Sequence, residues 1–120
     1  WEGSTSKLIP DARMIAHYGA DRFAEAFARI ECHYFVNGVF LPTDNDLIEQ
    51  IHLLRHLPCV IVHGRYDMVC PADNAWQLHQ AWPESQLQII AAAGHSLSET
   101  GITDALLMAT DAFVDHLTAG

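Results

Sequence analysis

Residues 57–70 read Leu-Pro-Cys-Val-Ile-Val-His-Gly-Arg-Tyr-Asp-Met-Val-Cys, and this stretch decides the fold. Its run from Cys59 to His63 is short, apolar and rich in β-branched residues, with a proline before it and Gly64 after it. That pattern predicts a strand buried on both faces, with His63 packed as a core residue of the strand. Asp67 follows in the loop at the carboxyl end of the strand, where open parallel sheets present their functional groups.

A second apolar run, Leu87 to Ala92, predicts another strand, and His95 follows it after a glycine. His95 lies 28 residues downstream of Asp67, and adjacent strands would bring both side chains to the same end of the sheet. A carboxylate that orients an imidazole is the acid and base part of a nucleophile-histidine-acid triad. In α/β-hydrolases the triad runs nucleophile, acid, histidine along the chain, and this segment offers the last two in that order. The alternative is that Asp67 is only a turn or cap residue, the commoner role of an Asp after a strand.

The rest of the chain is predicted to be mainly helical. Helical spacing of apolar residues predicts two helices between Pro10 and Phe35, broken near Gly19, and one helix each over Asp46–His56, Pro71–Trp82 and Thr103–Leu117. From residue 46 onwards helices and strands alternate, which is typical of an α/β fold with a parallel sheet.

Two parallel strands leave unpaired backbone groups on both outer edges. The sheet is therefore expected to continue in strands that precede this sequence.

Composition narrows the class of protein. The chain has 120 residues, half of them hydrophobic, which is enough to bury the core of one small domain. Six Lys and Arg against fifteen Asp and Glu give a formal charge of −9, which argues against a nucleic-acid partner. The sequence shows no membrane span and no signal peptide, and an odd number of cysteines does not make a disulfide framework. We therefore expect a cytoplasmic protein.

Several motifs closely resemble the bacterial proline iminopeptidases, which are serine peptidases of the α/β-hydrolase fold. They are the run Ile61–Pro71 around Asp67, the run Ala92-Ala93-Gly94-His95-Ser96, and Ala109-Thr110-Asp111-Ala112-Phe113. Trp1-Glu2, followed by Ser4 and Pro10, and Ile30-Glu31-Cys32-His33-Tyr34-Phe35 resemble that family's helical cap. The resemblance implies that the chain is the C-terminal portion of such an enzyme. Residues 1–43 would then be part of the helical cap, and residues 44–120 would be the C-terminal part of the core, with the last two parallel strands and their flanking helices.

The resemblance also implies a role for five residues. Asp67 would be the triad acid and His95 the general base. Glu2 and Glu31 would hold the protonated imino group of an N-terminal proline, and Cys70 would line the pocket near the acid. The implied partner is a peptide substrate with an N-terminal proline, and the implied chemistry needs neither a cofactor nor a metal.

One departure from the family pattern is decisive, because the chain contains no G-x-S-x-G nucleophile elbow. Gly94-His95-Ser96-Leu97-Ser98 comes close, but it lacks the closing glycine and places its serine beside the expected base. A His-Gly-Gly oxyanion segment is also absent from the sequence. The chain alone is therefore expected to be inactive, with the nucleophile supplied by a missing N-terminal part of the enzyme.

Two other interpretations stay open. The same acid and histidine would serve another α/β-hydrolase, such as an esterase or an epoxide hydrolase. Alternatively, the chain is a non-catalytic remnant that forms a homo-oligomer through its exposed strand edges. Neutralising Glu2 and Glu31 separates the first from a proline peptidase, since an esterase has no use for these carboxylates.

Overall fold

The computed structural model describes residues 1–43 and 46–118 as a mixed α/β chain. In chain order its elements are helices α1 (Glu2–Thr5), α2 (Ala12–Tyr18) and α3 (Asp21–Val36), a 3₁₀ turn (Gly38–Phe40), helix α4 (Asp46–Glu49), a second 3₁₀ turn (Ile51–Leu53), strand β1 (Val60–Gly64), helix α5 (Ala72–Ala81), strand β2 (Gln86–Ile90) and helix α6 (Thr100–Thr118). The predicted boundary after residue 43 falls beside residues 44 and 45, which lie outside the described part.

The sheet consists of β1 and β2, paired in parallel from Val60 opposite Gln86 to Gly64 opposite Ile90. Helix α5 forms the crossover between the strands, and α5 and α6 both contact them. Within the described residues each strand has one partner strand, so one edge of each strand is open. Because the strands are parallel and in register, the loops that follow them leave the sheet at the same end.

Most of the predicted helices are confirmed. Helices α2 and α3 are separated near Gly19, as the apolar spacing indicated, and α5 follows Pro71. The first strand is shifted by one residue from the predicted Cys59–His63, and the second begins one residue before and ends two residues before the predicted Leu87–Ala92. Helix α6 begins at Thr100 rather than Thr103, because the carbonyl of Glu99 accepts hydrogen bonds from the next helical turn.

The predicted helix over Asp46–His56 is wrong. The segment forms the single turn of α4, which ends at Glu49, followed by the 3₁₀ turn Ile51–Leu53. Of its apolar side chains, Ile51 is buried, whereas Leu47, Leu53 and Leu54 are exposed. A short helix depends on tertiary packing of its apolar face, and here that face has little to pack against.

The prediction that the first strand is buried on both faces is also wrong for this chain. Residues 60–63 of β1 are partly exposed and only Gly64 is buried. The buried apolar residues are few and mostly small, and they are Ile51, Ala75, Trp82, Ala93, Ile102, Ala105 and Ala109. On α6 the large side chains of Leu107, Met108 and Val114 are exposed. In the part of the chain that the structure describes, no helix is both long and apolar enough to cross a membrane.

Candidate active site

Asp67 occupies a tight turn just after β1. Its Oδ1 accepts hydrogen bonds from the backbone N–H of Val69 at 2.9 Å and of Cys70 at 2.8 Å. Its own N–H donates to the carbonyl of Gly64 at 3.2 Å. Aspartate favours such turns because its side chain replaces a backbone acceptor two or three residues away. One carboxylate oxygen is thus committed to the turn, and Oδ2 is left to face the loop after β2.

His95 meets this second oxygen, with its Nδ1 lying 2.9 Å from Oδ2 of Asp67. The Asp67 side chain is 4% exposed, whereas that of His95 is 40% exposed. When Nδ1–H donates to the carboxylate, Nε2 is the ring nitrogen that accepts a proton. The pair therefore consists of a buried carboxylate and an imidazole that is accessible to a reacting group.

Direct contact between the two loops fixes this pair. The N–H of Arg65 donates to the carbonyl of Ile90 at 3.0 Å, and that of Tyr66 donates to the carbonyl of Ala93 at 2.9 Å. The loops approach so closely at Gly64 that a Cβ there would lie 1.9 Å from the carbonyl oxygen of Gly94. Glycine at this position is therefore a requirement of the site and not only a strand terminator.

His63 also reaches the acid, which the sequence did not indicate. Its Nε2 lies 2.9 Å from the carbonyl oxygen of Cys70 and 3.5 Å from Oδ2 of Asp67. Its side chain is 15% exposed, so His63 is partly buried in the strand and not the core residue that the sequence predicted. The spacing from His63 to Asp67 follows the turn and not a regular element, so no periodic pattern signals the contact.

Cys70 lies beside the acid turn, and its N–H donates to Oδ1 of Asp67. With Asp67, His95 and His63 it lines a cavity of about 320 Å³. Burial raises the pKa of its thiol, and the negative charges of Asp67 and Glu2 raise it further. The thiol is consequently protonated at neutral pH and is a weak nucleophile there.

A second and larger cavity, of about 630 Å³, contains Glu2 of α1 and Glu31 of α3. Their carboxyl groups are close enough for Glu2 to perturb the pKa of Glu31. Burial raises the pKa of Glu31, and the carboxyl group of Glu2 raises it further. Two carboxyl groups that face one cavity in this way repel each other when both are ionised, and a cation between them would relieve that repulsion.

The two cavities adjoin at the acid turn. Val69, whose N–H donates to Asp67, also lines the Glu2–Glu31 cavity beside Tyr18 and Phe27. A cation held by the carboxyl pair would thus lie next to the turn that carries the acid. The structure brings the five predicted residues into two neighbouring sites, with Asp67, His95 and Cys70 in one and Glu2 and Glu31 in the other.

Ser96 is not placed as a partner of His95. Its Oγ lies 2.8 Å from Oγ of Ser98. Over residues 1–43 and 46–118, no hydroxyl or thiol hydrogen bonds to Nε2 of His95, and no group of three or more His, Cys, Asp and Glu side chains could hold a metal ion.

The carboxylate of Asp67 makes the stability of the fold depend on pH. Burial raises its pKa, but the hydrogen bonds from Cys70, His95 and Val69 outweigh burial and hold the pKa below its ordinary value of 3.8. A group with a lowered folded-state pKa stabilises the fold above 3.8, and that stabilisation is lost as the pH falls through the folded-state pKa.

We expect the Tm of the wild-type chain to exceed that of Asp67→Asn at pH 7, and the difference to shrink as the pH is lowered towards about 2. Thermal unfolding followed by circular dichroism measures both curves. Asp111→Asn, at an exposed position within α6, is the matched control and should follow the wild type. A Tm difference that stays constant across this range would contradict the stabilising role of the ionised carboxylate.

These features define the class of protein: a mixed α/β chain in which an acid and an imidazole follow two adjacent parallel strands and hydrogen bond with each other. Comparison with known proteins names the relatives. The chain is 52% identical, over all of its 120 residues, to a probable proline iminopeptidase of Leptolyngbya boryana, and this match covers 37% of that relative. It is 53% identical over 114 residues to the proline iminopeptidase of Xylella fastidiosa, covering 95% of the chain and 36% of the relative.

A plant relative of the chain is also named proline iminopeptidase. The proline iminopeptidase of Arabidopsis thaliana is 46% identical over 111 residues, which are 92% of this chain and 29% of that protein. No family model matches the chain. The chain is homologous to part of the proline iminopeptidases, and it spans about a third of the length of the curated relatives that it matches.

Proposed function

We propose that this chain is the C-terminal portion of a serine aminopeptidase of the α/β-hydrolase fold, which releases N-terminal proline from peptides. The hydrogen bond of 2.9 Å between Asp67 and His95 carries the proposal, because it joins the acid and the base that a nucleophile-histidine-acid triad needs, in a chain whose relatives are named proline iminopeptidase. The three free cysteines fit a reducing compartment, and we place the enzyme in the cytoplasm.

The chemistry assigned to this chain is that of the acid and the base. Asp67 holds the tautomer and the orientation of His95 and stabilises the imidazolium. Nε2 of His95 takes the proton from a serine hydroxyl as that oxygen attacks the carbonyl of the N-terminal proline, and then gives the proton to the leaving amine. The serine comes from the remainder of the enzyme, and no cofactor takes part in the reaction.

Glu2 and Glu31 are proposed to select the substrate. The imino group of an N-terminal proline is cationic at neutral pH, whereas an internal peptide nitrogen is neutral. A pair of carboxyl groups facing one cavity favours the cation by charge-assisted hydrogen bonds. The position of this cavity beside the acid turn would bring the first peptide bond towards His95. Cys70 lines the reaction pocket without acting as nucleophile.

We propose that residues 1–43 belong to the helical cap and residues 44–120 to the core. The open strand edges and the exposed apolar side chains of α6 support a larger sheet and core into which this portion fits. We use the term completed enzyme for this chain joined to the portion of a proline iminopeptidase relative that it does not cover. Pairing of the open edges between two copies of this chain is the competing arrangement, and it predicts a stable homo-oligomer.

Replacing Glu31 with Gln in the completed enzyme should raise KM for a proline arylamide by about 10-fold to 100-fold, with a smaller change in kcat, because one charge-assisted hydrogen bond to the imino group is lost. Glu2→Gln should act in the same direction. Steady-state kinetics with the arylamide and with an aryl ester that lacks the cationic group measures the effect.

Ester cleavage should be unchanged in both variants. Glu25→Gln is the matched control on α3, since Glu25 is exposed and pairs with Arg29 at 3.4 Å on the surface. Equal losses on the arylamide and the ester would contradict a role in selecting the imino group. Efficient ester cleavage by a completed enzyme without arylamide cleavage would favour an esterase.

A further inference from the structure

The carboxylate of Glu99 lies between the loop that carries His95 and the segment that follows α1. Its Oε1 accepts the backbone N–H of Gly94 at 2.7 Å, and the N–H of Leu8 donates to both carboxylate oxygens, at 3.2 Å to Oε2 and at 3.4 Å to Oε1. Its own backbone carbonyl caps α6 by accepting from Ile102 and Thr103, each at 2.9 Å. A carboxylate anchored at the start of a long helix thus holds two loops that come from distant parts of the chain.

The same two loops are joined a second time through Ser6. The carbonyl of this buried residue accepts the N–H of His95 at 2.8 Å and that of Ser96 at 2.7 Å. The hydroxyl of Ser6 in turn donates to the carbonyl of Glu2 at 2.7 Å. A continuous path of hydrogen bonds therefore connects the backbone of His95 to the helix that carries Glu2.

The packing at Gly94 leaves little freedom for this contact. A Cβ at Gly94 would lie 3.0 Å from the backbone nitrogen of Leu8 and 3.1 Å from Oε1 of Glu99. Gly94 is buried, so its N–H has little access to water and depends on the carboxylate as its acceptor. Without that acceptor the Gly94 N–H loses its partner, and the His95 loop is held to this segment by the carbonyl of Ser6 alone.

We propose that Glu99 is a positioning residue that holds the His95 loop against the segment after Glu2, and so sets the distance between the base and the carboxyl pair that binds the imino group. The effect of Glu99 on catalysis rests on the proposed function, whereas the connection between the His95 loop and the segment after α1 depends only on the hydrogen bonds of Glu99. Glu99 touches neither substrate nor reacting atoms in this scheme. It acts through Gly94 and Leu8.

Amide hydrogen exchange of the 120-residue chain, followed by NMR, directly tests the hydrogen bonds by which Glu99 connects the two segments. In Glu99→Ala the amides of Gly94 and Leu8 should exchange about tenfold faster, because each loses a charged acceptor. In Glu99→Gln one oxygen remains, which accepts from Gly94 at 2.7 Å and only at 3.4 Å from Leu8, so the Gly94 amide should keep most of its protection while that of Leu8 loses part of it. Asp104→Asn, which removes an exposed charge from the first turns of α6, is the control and should change neither amide. Wild-type exchange at both amides in Glu99→Ala would overturn the proposal.

Kinetics of the completed enzyme tests the consequence. Glu99→Ala should lower kcat/KM for an aryl ester about tenfold and for a proline arylamide about 100-fold, because the base is displaced in both reactions and the carboxyl pair matters only in the second. Glu99→Gln should restore most of the ester activity. Equal losses on both substrates would contradict the link to Glu2. If no completed enzyme cleaves the arylamide, the proposed function fails, and the exchange experiment still decides whether Glu99 joins the loops.

Discussion

Asp67→Asn in the completed enzyme is expected to lower kcat for a proline arylamide by about 10⁴-fold, the size of effect known for removal of a triad acid's charge. The amide nitrogen of Asn presents a donor towards Nδ1 of His95, whose neutral form then carries its proton on Nε2, the wrong nitrogen for a base. The backbone hydrogen bonds from Val69 and Cys70 can still reach the side-chain oxygen, so the turn is kept. The loss should therefore appear in kcat and leave the fold intact.

Asp73→Asn provides the control for this experiment, because it makes the same chemical change at an exposed position of the neighbouring helix α5. Its kcat should equal that of the wild type. Near-normal turnover by Asp67→Asn would remove Asp67 from the triad and leave it as a turn residue. Far-ultraviolet circular dichroism of both variants shows whether a loss arises from unfolding instead.

Gly64→Ala is expected to be the most damaging single change to the fold. The added methyl carbon would lie 1.9 Å from the carbonyl oxygen of Gly94 and 2.7 Å from that of Ala93, and both are backbone atoms that cannot rotate away. Relief requires the two loops to separate, which breaks the hydrogen bond from Tyr66 to Ala93. Forced overpacking of this kind costs about 3 kcal/mol of unfolding free energy, and here it also draws His95 away from Asp67.

Urea unfolding of the 120-residue chain measures the cost. Gly19→Ala is the matched control, since a Cβ at Gly19 would make only ordinary contacts, the nearest at 3.4 Å, and φ is −82°. Its unfolding free energy should stay within about 1 kcal/mol of the wild type. An unchanged midpoint for Gly64→Ala would contradict the close approach of the loops.

The pairing of acid and imidazole is the part of the site that the sequence predicts best. The alternation of strands and helices after residue 57 is clear, and parallel strands place their following loops at one end of the sheet. Topology therefore brings Asp67 and His95 to the same end of the sheet, and the contact between the two loops then fixes their hydrogen bond. Glu2 and Glu31 have no such topological signal, and only the resemblance to proline iminopeptidases singled them out.

The remaining contacts escape prediction for physical reasons. Glu99 meets the amide of Leu8 across 91 residues, through a backbone donor that every residue type shares. His63 reaches Asp67 because a turn folds back, and no regular element repeats that spacing. The segment Asp46–His56 has helical periodicity, but its apolar face is largely exposed, and so periodicity alone does not make it a continuous helix.

We propose that this chain supplies the acid and the base of a proline aminopeptidase but not its nucleophile. The most direct test compares cleavage of a chromogenic proline arylamide by the chain alone, by the completed enzyme, and by the completed enzyme with His95→Ala. We expect activity only in the completed enzyme, with loss of at least about 10³-fold on replacing His95. Activity in the chain alone would contradict this proposal, since the nucleophile would then lie within these 120 residues.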